Sequence, residues 1–484
     1  MIFPFDNTYA QLPEHFFRAV DPTPVSAPSW IKLNHGLAES LGIDVARLDS
    51  EEGLSILSGN KKAEGSEPIA TAYSGHQFGG FSGRLGDGRA ILLGEVVGKD
   101  GVRRDIQLKG SGPTPFSRRG DGRSALGPVV REYLVSEAMA ALGVPTTRAL
   151  AAIVSGDQVM RSTMEPGGVF TRVAQSHIRI GTFEFFASQR DTDGLRALAD
   201  YAIQRHYPEI ASVKNPYIAL LNKVIERQAK LIPHWMQLGF IHGVMNTDNM
   251  TISGETIDYG TCAFLDEYHP EKKFSYIDEQ GRYAFGNQAP IAHWNLTRFA
   301  ETLLPLIDSD QDKAIAAAKE SLNSFSDIYQ PTLINRILSK IGISEGSEKD
   351  WEMVQQLHST MADHEADYTL TFRHLITSLE QGNDEPLLAQ FKDSEAIESW
   401  LSDWKQRLEN KEEATALMRR SNPVYIPRNH RIEQAIQAAN KQDYDLFNRL
   451  NELLSNPFEE QESAEEFSAA PLPDEVVQNT FCGT

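Results

Sequence analysis

Apolar positions change period along the chain. From Ile69 to Met164 they come in short runs between glycines, and after Gly181 they come mostly at helical spacing. "AILLGEVV" and "RRDIQLKG", joined across Gly98-Lys99-Asp100-Gly101, predict a β-hairpin. A helix is expected from about Pro128 to Leu142, opened by proline and closed by Gly143. "RALAAIV" and "QVMRSTM" flank Ser155-Gly156-Asp157 and predict a second hairpin, with "GGVFTRVA" as a further strand. "PYIALLNKVIERQAKLIPHWMQLG" has the apolar spacing of a long helix. "NMTIS" and "ETIDYG", on either side of Ser253-Gly254, predict a short hairpin, and Trp294 to Leu454 reads as helices with polar connections. The first 65 residues mix short helical patterns with the Pro-rich "DPTPVSAPSW" and read as a wrapping extension. The acidic, Pro-containing "PFEEQESAEEFSAAPLPDE" is expected to be mobile.

Composition narrows the function classes. Of 484 residues, 40% are hydrophobic and 9% aromatic, as in an ordinary globular protein. A net charge of −21 repels nucleic acid and anionic membranes, so a phosphate site must be a local basic pocket. No apolar run is long enough to span a bilayer, and the N-terminus lacks a signal pattern; a cytoplasmic protein is expected. Cys262 and Cys482 are too few for a disulfide framework or a four-cysteine zinc site.

Candidate chemistry gathers around "GFIHGVMNTDNMTISGETIDYGT". A protein-kinase catalytic loop reads His-x-Asp, with Asn five residues after the Asp, then leads to Asp-Phe-Gly. Here His242, Asn249 and Asp258-Tyr259-Gly260 stand in that order, but Val244 takes the place of the catalytic aspartate. An isopropyl group accepts no proton, and Asp248 is the carboxylate at hand. Lys109 ends an apolar strand, and Glu132 lies in the first turns of the next helix, where a kinase places the pair that holds its phosphates. Glu137 is about 140° further round that helix and should face elsewhere. Asn249 and Asp258 offer the hard oxygen ligands that Mg²⁺ prefers. His242 is expected to be structural. Two glycine loops, "GGFSGRLGDGRA" and "GSGPTPFSRRGDGRSALG", add Arg84, Arg89, Arg118, Arg119 and Arg123, a concentration of cations suited to an anion.

The stretches "YSGHQFGGFSGRLGDGRAILLGE", "DIQLKGSGPTPFSRRGDGRSALGPVVREYLVSEAM", "IRIGTFEFF", "HGVMNTDNM" and "DYGTCAFLDEY" resemble the selenoprotein O family of kinase-fold enzymes, over nearly the whole chain. The resemblance implies an α+β fold: bilobal and protein-kinase-like, with an N-terminal wrapping extension (1–65), a β-rich N-lobe (66–165), a largely helical C-lobe with additions (166–455) and an acidic mobile tail (456–484). It implies protein adenylylation, in which AMP passes from ATP to Ser, Thr or Tyr hydroxyls of protein substrates and pyrophosphate leaves, with ATP bound in a flipped orientation. Asp248 would be the proton acceptor, and Asn249 and Asp258 the ligands of Mg²⁺, or of Mn²⁺ in its place. Gly86, Gly88, Arg89, Lys109, Asp121, Gly122, Arg172, Arg179 and Asp258 would contact the nucleotide, with Glu132 pairing Lys109. The family's selenocysteine position is Cys482 here, an ordinary thiol; a Cys262–Cys482 disulfide is one reading and two independent thiols the other. A small-molecule or protein kinase, and a non-catalytic nucleotide-binding scaffold, remain the alternatives.

Overall fold

The computed structural model describes residues 1–480 of the chain. The first 65 residues supply strands β1 (Phe17–Ala19) and β2 (Ser29–Leu33) and three short helices, α1 (His35–Ser40), α2 (Val45–Leu48) and α3 (Glu51–Leu57). Each helix opens on a side-chain cap: Asn34, Asp44 and Ser50 accept from the backbone N–H groups of Leu37, Arg47 and Gly53. β3 (Ile69–Thr71) follows, then the small hairpin β4 (Gly75–Gln77) and β5 (Gly80–Ser82), and then β6 (Ala90–Val97), β7 (Arg103–Lys109) and β8 (Ser124–Ala125). Helix α4 (Leu126–Ala141) leads to β9 (Arg148–Met160) and β10 (Met164–Ala174). The main sheet is antiparallel with order β1-β3-β6-β7-β10-β9-β2, and β8 pairs with β10 beside that path. Both edge strands therefore come from the N-terminal extension. Its Leu37, Leu41, Ile43, Leu48 and Leu57 cluster with Val96, Ile106, Leu108 and Val173 of the sheet. Each such buried aliphatic side chain contributes about 1.5–3 kcal/mol, which holds the extension onto the domain.

The β6–β7 hairpin forms as its turn residues predict. The second expected hairpin does not form at Ser155-Gly156-Asp157. β9 continues through those residues with a bulge, Val154 pairing Gly168 and Gln158 pairing Pro166, and the chain reverses at Arg161–Thr163 instead, where Arg161 N donates to Thr163 O at 2.9 Å. Gly156 has φ +80°, and a Cβ there would lie 2.6 Å from Ala27. This glycine permits a close approach by the N-terminal segment; it does not make the turn.

Beyond the sheet the described chain is mostly helical: α5 (Ile180–Ser188), α6 (Thr192–His206), α7 (Pro216–Leu238), α8 (Gln288–Ile307) and α9 (Gln311–Lys340), with further helices between residues 348 and 468. Asn215 caps α7, and Gly239, at φ +72°, ends it. β11 (Phe240–Ile241) and β12 (Ala263–Phe264) pair across the catalytic-loop candidates. The short hairpin expected around Ser253-Gly254 is absent. The backbone of Thr251 bridges to Arg179 and that of Thr256 to Thr146, so the two segments pair with distant partners, and the Thr251 hydroxyl, bonded to Glu255 N and O at 3.0 and 2.7 Å, ties them to each other. The main core lies between the sheet's inner face, α4 and α5–α8, and a second one, with Trp400 and Trp404, fills the C-terminal helices.

The acidic segment after residue 455, expected to be mobile, lies in contacts along the body. Arg428 Nη2 donates to Ser468 O at 3.1 Å, Arg431 Nη2 to Glu466 O at 2.8 Å, and Gln434 Nε2 to Glu475 at 2.9 Å. Ala464 is fully buried. The body offers this segment arginines and backbone partners that its composition does not reveal. Thr480 donates to Thr261 O at 2.7 Å, and the other candidate thiol, Cys482, lies outside the described residues. No helix among the described residues is long and apolar enough to cross a membrane.

Candidate active site

β7 carries Lys109 to the end of the sheet, where it pairs with Ala90 on β6 and Phe170 on β10. α4 crosses behind and presents Glu132. Lys109 Nζ lies 2.6 Å from Glu132 Oε2 and 3.3 Å from Asp258 Oδ1. Arg172, two residues beyond Phe170 on β10, donates through Nε to Glu132 Oε1 at 2.8 Å. The expected pair is thus a triad: one buried carboxylate takes a different cation on each oxygen. Burial alone would push the Glu132 carboxyl up, but Arg172 and Lys109 outweigh it and hold it below the usual range. Glu137 does face elsewhere, accepting from Arg148 and Asn34.

Asp258 follows the buried Ile257 with φ +67°, a left-handed conformation that costs a non-glycine residue about 1–3 kcal/mol. Burial would raise its carboxyl, but Lys109, Arg172 and Arg89 lower it far below the ordinary carboxylate value, so it stays ionised. His242 is buried behind it with Nε2 2.8 Å from Ile257 O; burial lowers its basicity, in keeping with a structural part.

Asp248 sits in the 3₁₀ turn Thr247–Asn249, closed over by the β4–β5 hairpin. Gln77 Nε2 donates to its Oδ2 at 3.1 Å, while its buried Oδ1 has no hydrogen-bond partner. Burial pushes its carboxyl up to about 6, with Arg179 and Gln77 opposing. Arg179, at the start of α5, lies over the Tyr73 ring at 4.4 Å and 3.9 Å from Asp87 Oδ1, itself without a hydrogen-bond partner. Asn249 Nδ2 donates to Val244 O at 3.0 Å, which fixes the amide's orientation.

A cavity of about 670 Å³ joins these parts. Asp248, Gly86, Gly88, Arg89, Lys109, Asp121, Gly122, Arg172, Arg179, Asn249 and Asp258 all line it, and Glu132 stands behind them holding two of the cations. Gly86 has φ +80°, and a Cβ there would lie 2.4 Å from Phe116. Asp121 is anchored by Arg161 at 2.8 Å. Arg123, counted among the anion-binding cations, is instead engaged with Thr23 O and Pro24 O at 2.9 Å each, tying the loop to the N-terminal extension. Gln77, Tyr73, Asp87 and Asn246 also line the cavity and escaped the sequence reading. "YSGHQFGG" contains two of them, but nothing in its spacing points to Asp248.

Comparison with known proteins places the chain in a family. The model of the family described as "Protein adenylyltransferase SelO" matches residues 2–455. A protein from Bradyrhizobium sp. (strain BTAi1 / ATCC BAA-1182), named "Protein nucleotidyltransferase YdiU", is 56% identical over 487 residues, covering 100% of this chain and 99% of the relative. Proteins of the same name from Rhodopseudomonas palustris (strain HaA2) and Methylorubrum populi (strain ATCC BAA-705 / NCIMB 13946 / BJ001) are each 54% identical, again over 100% of this chain and 99% of theirs. The chain belongs to the protein adenylyltransferase SelO family and is a nucleotidyltransferase.

Proposed function

We propose that this chain transfers AMP from ATP to Ser, Thr or Tyr hydroxyls of protein substrates, on a kinase-like bilobal fold with the nucleotide flipped. The observation that carries the reading is the lining of this cavity. It combines cations for a polyphosphate, an ionised Asp258, and a buried carboxylate, Asp248, with a free oxygen. Val244, beside them, can act as no base.

In this reading Lys109, Arg172, Arg179 and Arg89 neutralise the phosphates. The acceptor oxygen attacks the α-phosphorus, its bond to phosphorus forms as the bond to the β-bridging oxygen breaks, and pyrophosphate departs with that electron pair. The acceptor's proton passes to the Asp248 carboxylate. Gln77 and the β4–β5 hairpin hold that carboxylate in place.

A divalent metal fits the donors. Asn249 and Asp258 offer an amide oxygen and an ionised carboxylate, and Mg²⁺ is commonly held by one or two such ligands together with substrate phosphates. Among the described residues no group of three or more His, Cys, Asp or Glu side chains could hold a metal alone. Asn249 and Asp258 would hold Mg²⁺ or Mn²⁺ that arrives with the nucleotide, and the ion would supply further charge neutralisation at the phosphates.

The test is incubation with a protein acceptor and ATP labelled separately at the α- and γ-phosphates. Protein-bound α-label with release of pyrophosphate is expected. Transfer of γ-label would make the enzyme a kinase, and transfer of neither would leave a nucleotide-binding scaffold.

A further inference from the structure

Three arginines singled out in the glycine loops take no part in the nucleotide contacts proposed above. Arg84, Arg118 and Arg119 line a second cavity of about 410 Å³, together with Thr114, Ser117 and Gly120. All three are exposed. None makes an ion pair or a side-chain hydrogen bond among the described residues, whereas neighbouring Arg123 and Arg161 are tied to backbone carbonyls and Asp121. Unpaired cations are unexpected on a chain with net charge −21, where carboxylates are abundant.

The second cavity adjoins the first: Ser117, Arg118 and Gly120 line both. Its loop is also fastened to the glycine loop of the nucleotide cavity. Thr114 Oγ1 donates to Asp87 O at 2.6 Å, Ser117 Oγ donates to Gly88 O, and Phe116 covers Gly86. Arg118 and Arg119 are consecutive residues at φ +50° and +75°, each in a conformation disfavoured for a side-chain-bearing residue. Gly120 N donates to Ser117 O at 2.7 Å and closes the turn.

We propose that the Arg84–Arg118–Arg119 pocket is a second anion site, which takes the pyrophosphate as it leaves the nucleotide cavity. Guanidinium forks match the oxygens of a phosphate, and three of them concentrate positive potential beside the cations of the nucleotide cavity. The shared wall of Ser117, Arg118 and Gly120 sets this pocket directly beside the nucleotide cavity, so the anion has only a short way to move. Movement into the pocket withdraws the leaving group from the α-phosphorus and so opposes the reverse reaction. The identity of the anion rests on the adenylyltransferase reading; the existence of the site does not.

The test titrates sodium pyrophosphate, by calorimetry, into full-length protein saturated with a non-hydrolysable ATP analogue. Wild type should still bind pyrophosphate, and Arg84→Ala/Arg119→Ala should bind it more weakly, by roughly tenfold per arginine removed. The variant's affinity for the analogue should match wild type, which also shows that it is folded; Arg119→Glu provides a second, charge-reversed variant. Loss of all pyrophosphate binding when the analogue saturates wild type would overturn the proposal, as would unchanged binding in both variants. A phosphoserine peptide that displaces pyrophosphate and binds more tightly would overturn the exit assignment in favour of a phosphorylated partner. The α-label experiment is read separately, so its failure alongside retained pyrophosphate binding would remove the transferase reading and not the anion site.

Discussion

Gln77 Nε2 and Asp248 Oδ2 lie 3.1 Å apart, joining two residues separated by 171 positions in the chain. The bond engages one oxygen of a buried carboxylate and leaves Oδ1 without a hydrogen-bond partner, packed against Gly75. Position and ionisation of the candidate base thus depend on a hairpin that sequence alone connects to nothing.

Replacing the base should separate chemistry from binding. Asp248→Ala is expected to lower α-label transfer by about 10²–10⁴-fold while ATP affinity stays near wild type. Gln77→Leu should lower turnover more mildly, by roughly fivefold for one lost hydrogen bond, with KM for ATP unchanged. Transfer by Asp248→Ala within a few-fold of wild type would remove Asp248 from its role.

Burial of Asp248 has a cost that depends on pH. Its folded-state carboxyl, at about 6, lies above the ordinary 3.8, so the folded protein binds this proton more tightly than the unfolded chain does. The resulting stability is present below pH 4 and is lost as pH rises through about 6. In metal-free, nucleotide-free protein, Asp248→Asn should therefore stabilise by roughly 3 kcal/mol at pH 8 and by little at pH 4. Thermal unfolding in chelator at the two pH values checks this; an equal difference at both would contradict it.

Glu132 neutralises two buried cations, Lys109 and Arg172. Glu132→Ala strands Arg172 and leaves Lys109 with Asp258 alone, and should cost about 3–5 kcal/mol in denaturant unfolding. Lys109→Ala and Glu132→Ala are expected to be non-additive in turnover, since both act on one cation at the phosphates. Losses that simply add would argue that the contact has no functional consequence.

Gly86 meets two constraints, a φ of +80° and the Phe116 ring. Gly86→Ala should weaken ATP binding, and adding Phe116→Ala should restore it only in part, because the backbone conformation still disfavours a side chain by about 1 kcal/mol or more. Full recovery in the double variant would reduce the effect to the clash alone.

Val244 lines the cavity with Asp248 and Asn249. Val244→Asp is expected not to create γ-phosphate transfer, because a flipped nucleotide keeps its γ-phosphate away from that position. Efficient γ-label transfer by this variant would contradict the flipped orientation.

The sequence by itself determined what depends on near neighbours. Apolar spacing and caps marked α4 and α7, the Gly98–Gly101 turn marked the β6–β7 hairpin, and five-residue helical geometry set Glu132 and Glu137 on different faces. Gly86, Gly88, Arg89, Lys109, Asp121, Gly122, Arg172, Arg179, Asp248, Asn249 and Asp258 were named from the sequence and its resemblance, and they line one cavity. Tertiary structure alone decided the partners of residues far apart in sequence. Gly156 looked like a turn because glycine is common in turns, yet it makes room for Ala27. Thr251 and Thr256 looked like two arms of a hairpin, yet Arg179 and Thr146 hold them. The acidic segment looked solvated, yet Arg428, Arg431 and Gln434 bind it, and Gln77 had no local reason to meet Asp248. Periodicity and turn chemistry act within a few residues, whereas these contacts exist only once the sheet, α4 and the C-terminal helices have packed and brought their surfaces together.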